Sequence, residues 1–289
     1  MASRDLISDR TERDAMHPVK LTLMTDGYCR QLESVSLRGA PWRVVRFEAL
    51  SALLEHPAAG PILFDTGYTD RFFQETRHWP ARLHRWLTPV RLHSRGSVMR
   101  QLAAMGISAK EVRHVFISHF HADHIGGLRD FPEASIHCSR AAWEDVAGRA
   151  GFAALRRAFL PGLIPEDFSR RVRFVEDAAQ VYLPDRFSPF TEARDVLGDG
   201  SLLAVDLPGH AVGQMGLFLQ DQDGGPTLLA ADGAWSREAI RSLRPPSRLV
   251  RFLGDWPALN ATLEKLHRLH LAHPEVRIIP THCPEVWRS

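Results

Sequence analysis

The stretch ISHFHADHIGG, residues 117–127, crowds His119, His121, Asp123 and His124 into six positions. At this chain's His and Asp frequencies, an HxHxDH pattern arises by chance roughly once in several hundred chains of this length. The residues just before it, HVFIS (114–118), read as a buried strand that runs directly into the cluster. In extended chain alternate side chains face the same way, so His119 and His121 can reach one ion. Asp123 and His124 lie where the chain turns toward Gly126 and Gly127, and they point to a second position. Imidazole nitrogens with few carboxylates suit Zn²⁺ best, with Fe²⁺ and Mn²⁺ as alternatives.

Around this cluster the chain is ordinary. Its 289 residues are 44% hydrophobic and 24% charged, the composition of a globular protein with a full core. No apolar run approaches the roughly 20 residues that span a bilayer. The N-terminus, MASRDLISDRTERDAMHPVK, is charged and has no apolar stretch, which excludes a secretory signal. Residues 1–16 are expected to form a flexible tail and 17–289 a single domain. A formal net charge of +2 gives no case for nucleic-acid binding. Cys29, Cys138 and Cys283 are widely spaced and odd in number, which argues for a reducing, cytoplasmic compartment. The chain has no CxxC pair, GxSxG elbow, HExxH pair or GxxxxGK[ST] loop, so several common enzyme classes drop out.

Apolar runs bounded by Gly, Pro or Asp predict strands at 19–24, 49–56 and 61–67, then at 114–118 and 134–139. Helices are expected over 96–106, where Val98, Leu102 and Met105 recur at helical spacing, and over 139–150, capped by Ser139. The second half repeats the style, with strands at 201–206, 214–219, 227–231 and 276–280. A helix over 257–272 sets Leu259, Leu263, Leu266 and Leu269 on one face. Strands on both sides of helical segments predict an α/β architecture of two packed sheets with helices outside.

Three more ionisable residues follow predicted strands. His210 lies in LPGHAVGQ, Asp232 in LLAADGAW and His282 in IIPTHCPE. Loops at strand ends are where a scaffold presents its chemistry, so these three can meet the cluster if their strands lie side by side. Each has a plainer reading when taken alone. A single His among fifteen is more often a hydrogen-bonded or surface residue, and Asp before Gly is a turn residue.

With these residues in place the sequence resembles the metallo-β-lactamase fold superfamily. The motifs are LFDTG (63–67), HFHADH (119–124), PGH (208–210), the Asp of AADG (230–233) and PTH (280–282), in the family's order. The resemblance implies an αββα sandwich, two mixed sheets packed face to face, with two divalent metal ions at one edge. It implies that His119, His121 and His210 hold one ion, that Asp123, His124 and His282 hold the other, and that Asp232 bridges them. Asp65 would orient the histidine loop from behind, since a ligand imidazole needs an acceptor on its other nitrogen; the competing reading is a turn residue before Thr66 and Gly67.

Within the superfamily, Asp232 stands where true zinc β-lactamases carry a Cys ligand. The set is closer to glyoxalase II-like thioesterases and N-acyl homoserine lactone lactonases. Two positions depart from the lactonases: Ala122 replaces a Phe, and Trp235 replaces a Tyr three residues after the bridging Asp.

The chemistry expected of such a site follows from charge. Two divalent ions against Asp123, Asp232 and a bridging hydroxide leave a core near +1, suited to a developing oxyanion. The expected reaction is hydrolysis of a lactone, ester or thioester of a small acyl substrate, with Asp123 and Asp232 at the catalytic centre and Asp232 relaying a proton. The rival readings are a phosphodiesterase or nuclease, a mononuclear iron persulfide dioxygenase, and a non-catalytic metal-binding protein. Trp235 can either donate its indole N–H to a substrate carbonyl or pack in the core. The Arg- and aromatic-rich segment from Asp70 to Arg95 has three readings: a lid whose Phe73 and Trp86 wall an acyl pocket, a packed helical hairpin, or a membrane-surface contact.

Overall fold

The computed structural model describes residues 16–252 and 254–286. The tail expected over 1–16 therefore lies almost wholly outside the described residues. Seven strands form a first sheet: β1 (Pro18–Leu32), β2 (Val44–His56), β3 (Gly60–Phe64), β4 (Val90–Leu92), β5 (His114–Phe116), β6 (Ser135–Cys138) and β7 (Val172–Phe174). Their order is β7-β6-β5-β3-β2-β1, with β4 also paired to β1. The second sheet runs in sequence order through β8 (Ala179–Tyr182), β9 (Glu192–Asp195), β10 (Leu203–Asp206), β11 (Met215–Asp221), β12 (Gly225–Ala231) and β13 (Arg277–Pro280). Both sheets mix parallel and antiparallel pairs. The first residues of β1 join them, pairing Pro18 with Gln220 and Val19 with Asp221 before the strand continues along β2.

The two-residue period of each strand builds the layers. In β3, Ile62 and Phe64 enter the core between the sheets while Leu63 faces the outer helical layer. In β12, Leu229 and Ala231 point inward, and Leu228 and Ala230 pack outward with Leu263, Leu266 and Leu269. Those three leucines lie on the helix Trp256–Ala272, whose N-cap Asp255 accepts a hydrogen bond from Ala258 N and which has a proline in its first turn. Among the described residues no helix is long and apolar enough to cross a membrane.

Several elements differ from the sequence expectation. β1 extends to Leu32 through Asp26-Gly27, a pair that reads as a turn but is absorbed as a register shift between Thr25 and Gly27. The helix expected over 139–150 stops early, at Arg140–Val146, because Gly148 has a φ of 72° that no helix continues, and a second short helix, Gly151–Leu155, begins beyond it. The segment after Asp70 forms two short helices, Arg71–Glu75 and Arg82–Leu87.

One buried pair couples folding to pH. His114 Nδ1 lies 3.0 Å from His137 Nε2. Burial, then the neighbouring His114 and Arg173, push His137 from the usual 6.5 down to about 4. Between these values the unfolded chain binds a proton that the folded chain refuses, so this contribution is whole above pH 6.5 and is lost as pH falls toward 4. His137→Gln is expected to flatten the fall in melting temperature between pH 7 and pH 4 by about 5 °C. A variant that melts in parallel with the parent across that range would show that His137 does not carry the effect.

Candidate metal centre

The strands β3, β5, β10, β12 and β13 all end at one rim, and each hands its next residues to the same place. β3 is followed by Asp65, β5 by Ser118 and His119, β10 by the loop to His210, β12 by Asp232, and β13 by Thr281 and His282. The loop after β3 is stitched to the histidine loop: Thr66 N and Oγ1 donate to His124 O at 2.7 and 2.9 Å, and Thr69 Oγ1 to Gly126 O at 2.8 Å. A Cβ on Gly126 would stand 2.4 Å from Gly67 O, and one on Gly127 2.6 Å from Thr66 O. The double glycine of the opening motif is what lets the two loops touch.

The structure brings all seven sequence-predicted ligands together. Three groups have their ligand atoms within 4.8 Å of one another: His119, His121 and His210; His119, His124 and Asp232; and Asp123, His124 and His282. Asp232 stands at the centre. Its Oδ2 lies 3.2 Å from His210 Nε2 and 3.1 Å from His282 Nε2, and its Oδ1 lies 3.6 Å from His124 Nε2. Asp123 Oδ2 is 3.5 Å from His282 Nε2 and 3.7 Å from His124 Nε2.

The imidazoles are held from behind. Asp65, fully buried with φ 57°, accepts from Ser118 N and Ser118 Oγ, both at 2.8 Å, and faces His124 Nδ1 at 2.7 Å. Ser118 Oγ also lies 3.1 Å from His119 Nδ1. His282 Nδ1 donates to the carbonyl of Glu48 at 2.7 Å. Each contact presents Nε2 to the centre.

This donor set fits divalent cations. His119 Nε2, His124 Nε2 and Asp232 Oδ1 are buried without a hydrogen-bond partner, an arrangement that costs about 1–3 kcal/mol per atom when nothing compensates it. His121 Nδ1 and His210 Nε2 face each other at 3.0 Å, so their lone pairs need a proton or a cation.

The electrostatics agree. Burial and neighbouring imidazoles hold His119 and His121 far below the usual histidine range, which leaves them neutral and able to donate lone pairs. Burial opposes the charge on Asp232, but the His282, His210 and His124 charges outweigh it and keep the carboxyl well below its usual range. For His124, burial is outweighed by Asp65, Asp123 and Asp232, which raise it to about 10. A cation held here would take the place of the proton that these carboxylates favour on His124.

Trp235 donates its indole N–H to Asp232 Oδ2 at 3.2 Å and packs edge-on to Phe47 and His210. Its N–H thus steadies the central carboxylate rather than standing free. Beside the cluster lies a cavity of about 450 Å³, walled by His121 and His210 at one end, by Phe120, Val146 and Val212, and by Arg157. Neither Phe73 nor Trp86 is among its walls. Phe73 packs on the outer core under Arg85, and Trp86 is 60% exposed beneath Arg82. His84, on the helix Arg82–Leu87, is one histidine that the cluster does not take up. It is buried against Phe72, its Nδ1 has no partner, and the charge of Asp123 bears on it.

The family model described as "Metallo-beta-lactamase superfamily" matches residues 45–272. The chain belongs to that superfamily. Among its relatives is the N-acyl homoserine lactonase AttM of Azorhizobium caulinodans, 28% identical over 241 residues that cover 82% of each chain. A solved structure of a B. thuringiensis AiiA variant with N-decanoyl-L-homoserine bound at the active site superposes with a TM-score of 0.67 at 20% identity. It covers 94% of this chain and 96% of that one. AidC, described as a dizinc quorum-quenching lactonase, superposes with a TM-score of 0.62 at 17% identity over 93% of this chain and 89% of that one. These likenesses confirm the αββα architecture. As a superfamily member with such relatives, the chain is a metallo-hydrolase.

Proposed function

We propose that this metallo-β-lactamase superfamily member hydrolyses a small acyl lactone, with an N-acyl homoserine lactone as the leading substrate class. The observation that carries the reading is the convergence of His119, His121, His210, Asp123, His124, His282 and Asp232 around buried, unpartnered donor atoms. The names of the relatives choose among the acyl substrates such a site can open. Two divalent cations, Zn²⁺ first, would be held by the two triads with Asp232 between them, and when bound they supply ionised water at neutral pH and a polarised carbonyl.

The chain's own residues do the rest. Trp235 fixes Oδ2 of Asp232 and leaves Oδ1 without a hydrogen-bond partner. Asp232 would relay a proton to the leaving alkoxide as the ring opens. Asp65 and Ser118 keep His119 and His124 in one tautomer and one orientation, and the Glu48 carbonyl does so for His282. The cavity beside His121 and His210 is of a size for an acyl chain, with Phe120, Val146 and Val212 as an apolar wall and Asp145, Arg157 and Asp255 as polar ones.

The test is a panel of N-acyl homoserine lactones, an acyl thioester and bis-p-nitrophenyl phosphate, run on zinc-loaded protein. The lactones are expected to exceed both others in kcat/KM by about 100-fold or more, about 2.7 kcal/mol of discrimination. A phosphodiester turned over faster than any lactone would overturn the assignment.

A further inference from the structure

From Arg77 to Arg100 the chain carries six arginines, at 77, 82, 85, 91, 95 and 100, and no Asp or Glu, in a protein whose formal net charge is only +2. All six are exposed, and among the described residues none pairs with a carboxylate. Two of them stack on aromatic rings: Arg82 lies 5.2 Å over Trp86, and Arg85 lies 4.9 Å over Phe73. Between the arginines stand large apolar side chains that the fold leaves in solvent. Trp79 and Trp86 are each 60% exposed and Leu87 is 68% exposed. Trp79 meets Phe152, itself 56% exposed, edge to face at 6.1 Å.

On the short helix Arg82–Leu87, Arg82, Arg85 and Trp86 share the exposed face, while His84 is buried on Phe72. The helix is tied down by Gln31 Nε2, which donates to Leu87 O at 2.7 Å. Gln31 sits opposite Val45 on β2, so the neighbouring hairpin, with Trp42 at 84% and Val44 at 64% exposure, adjoins this surface.

We propose that this surface docks on an anionic phospholipid bilayer. A nucleic acid would use the arginines and stack bases on the tryptophans, but it offers Leu87 no apolar medium. A bilayer interface uses both: indoles and leucine enter the headgroup and acyl boundary, and guanidinium groups reach the phosphates with their stems lying along apolar surface. The residues lie on short helices, on β4 and on the turns between them, and among the described residues no helix is long and apolar enough to cross a membrane, so the contact is peripheral and salt-sensitive. The same segment follows the loop that Thr66 and Thr69 tie to the histidine loop.

The test is flotation of the full-length protein with phosphatidylcholine vesicles and with vesicles containing about one third phosphatidylglycerol, read together with tryptophan emission. The expected result is at least tenfold tighter binding to the anionic vesicles, a blue shift on binding, and weakening as salt rises. Arg82→Glu/Arg85→Glu and, separately, Trp79→Ser/Leu87→Ser should each lower vesicle affinity about tenfold while melting temperature and metal content hold. Trp42→Ser gives a second reading of the apolar contact on a different element should either pair destabilise the fold. Failure to float with anionic vesicles, or binding that neither pair weakens, would overturn the proposal. So would tighter binding to single-stranded RNA than to vesicles, which would reassign the arginines to an anionic polymer.

Discussion

Asp232→Asn is expected to lower kcat for the best lactone by about 10²–10⁴-fold, the range of a positioned proton-transfer group, with a much smaller change in KM. The residue's place dictates the size of the effect. Its Oδ2 takes contacts from His210, His282 and Trp235, and its Oδ1 is buried with no hydrogen-bond partner. Asparagine keeps the shape but removes the charge that His282, His210 and His124 hold in place. Its amide cannot take up the proton that the leaving oxygen needs. Steady-state kinetics checks this, with metal content measured on the same sample. Turnover within tenfold of the parent at full metal occupancy would remove Asp232 from the chemistry.

Asp65→Asn is expected to weaken metal affinity or activity by about 10–100-fold without contact between residue 65 and the substrate. Asparagine tolerates the positive φ of 57° at this position, so the backbone has no reason to move. The side chain now presents an amide where a carboxylate faced His124 Nδ1. If its NH₂ turns to that nitrogen, the imidazole proton is forced onto Nε2, the atom aimed at the centre. If its oxygen turns there instead, Ser118 loses an acceptor. Competition with a chromophoric chelator reads the affinity, and Asp65→Glu, which restores charge at the wrong reach, should recover it only in part. Unchanged affinity in Asp65→Asn would return Asp65 to the role of a turn residue.

What the sequence discloses here depends on which atoms do the work. The runs at 61–67, 114–118 and 227–231 hold the strands Gly60–Phe64, His114–Phe116 and Gly225–Ala231, whose consecutive buried apolar residues announce them. The edge strands β7 and β8, and β9 beside β8, are three or four residues long and partly exposed, too short and too polar for a period to emerge. β1 hides its length behind Asp26-Gly27, because a turn pair absorbed within a strand looks like the end of one. The cluster at 119–124 is legible because four ligating side chains are adjacent in sequence. Trp235 is legible as a residue near Asp232, but the partner of its N–H is set by rotamer and packing, which spacing does not encode. The Glu48 carbonyl that orients His282 has no side-chain signature at all. Trp86 shows the reverse error. Aromatic residues next to a metal motif suggest a pocket wall, yet the fold turns this one outward beneath an arginine.

The measurement that bears most directly on the account is elemental analysis of the protein purified without chelator, repeated after removal of metal and reconstitution with zinc. The two triads and the central carboxylate predict about two equivalents of transition metal per chain, recovered on reconstitution. A content of one equivalent or less that does not rise when zinc is supplied would contradict it.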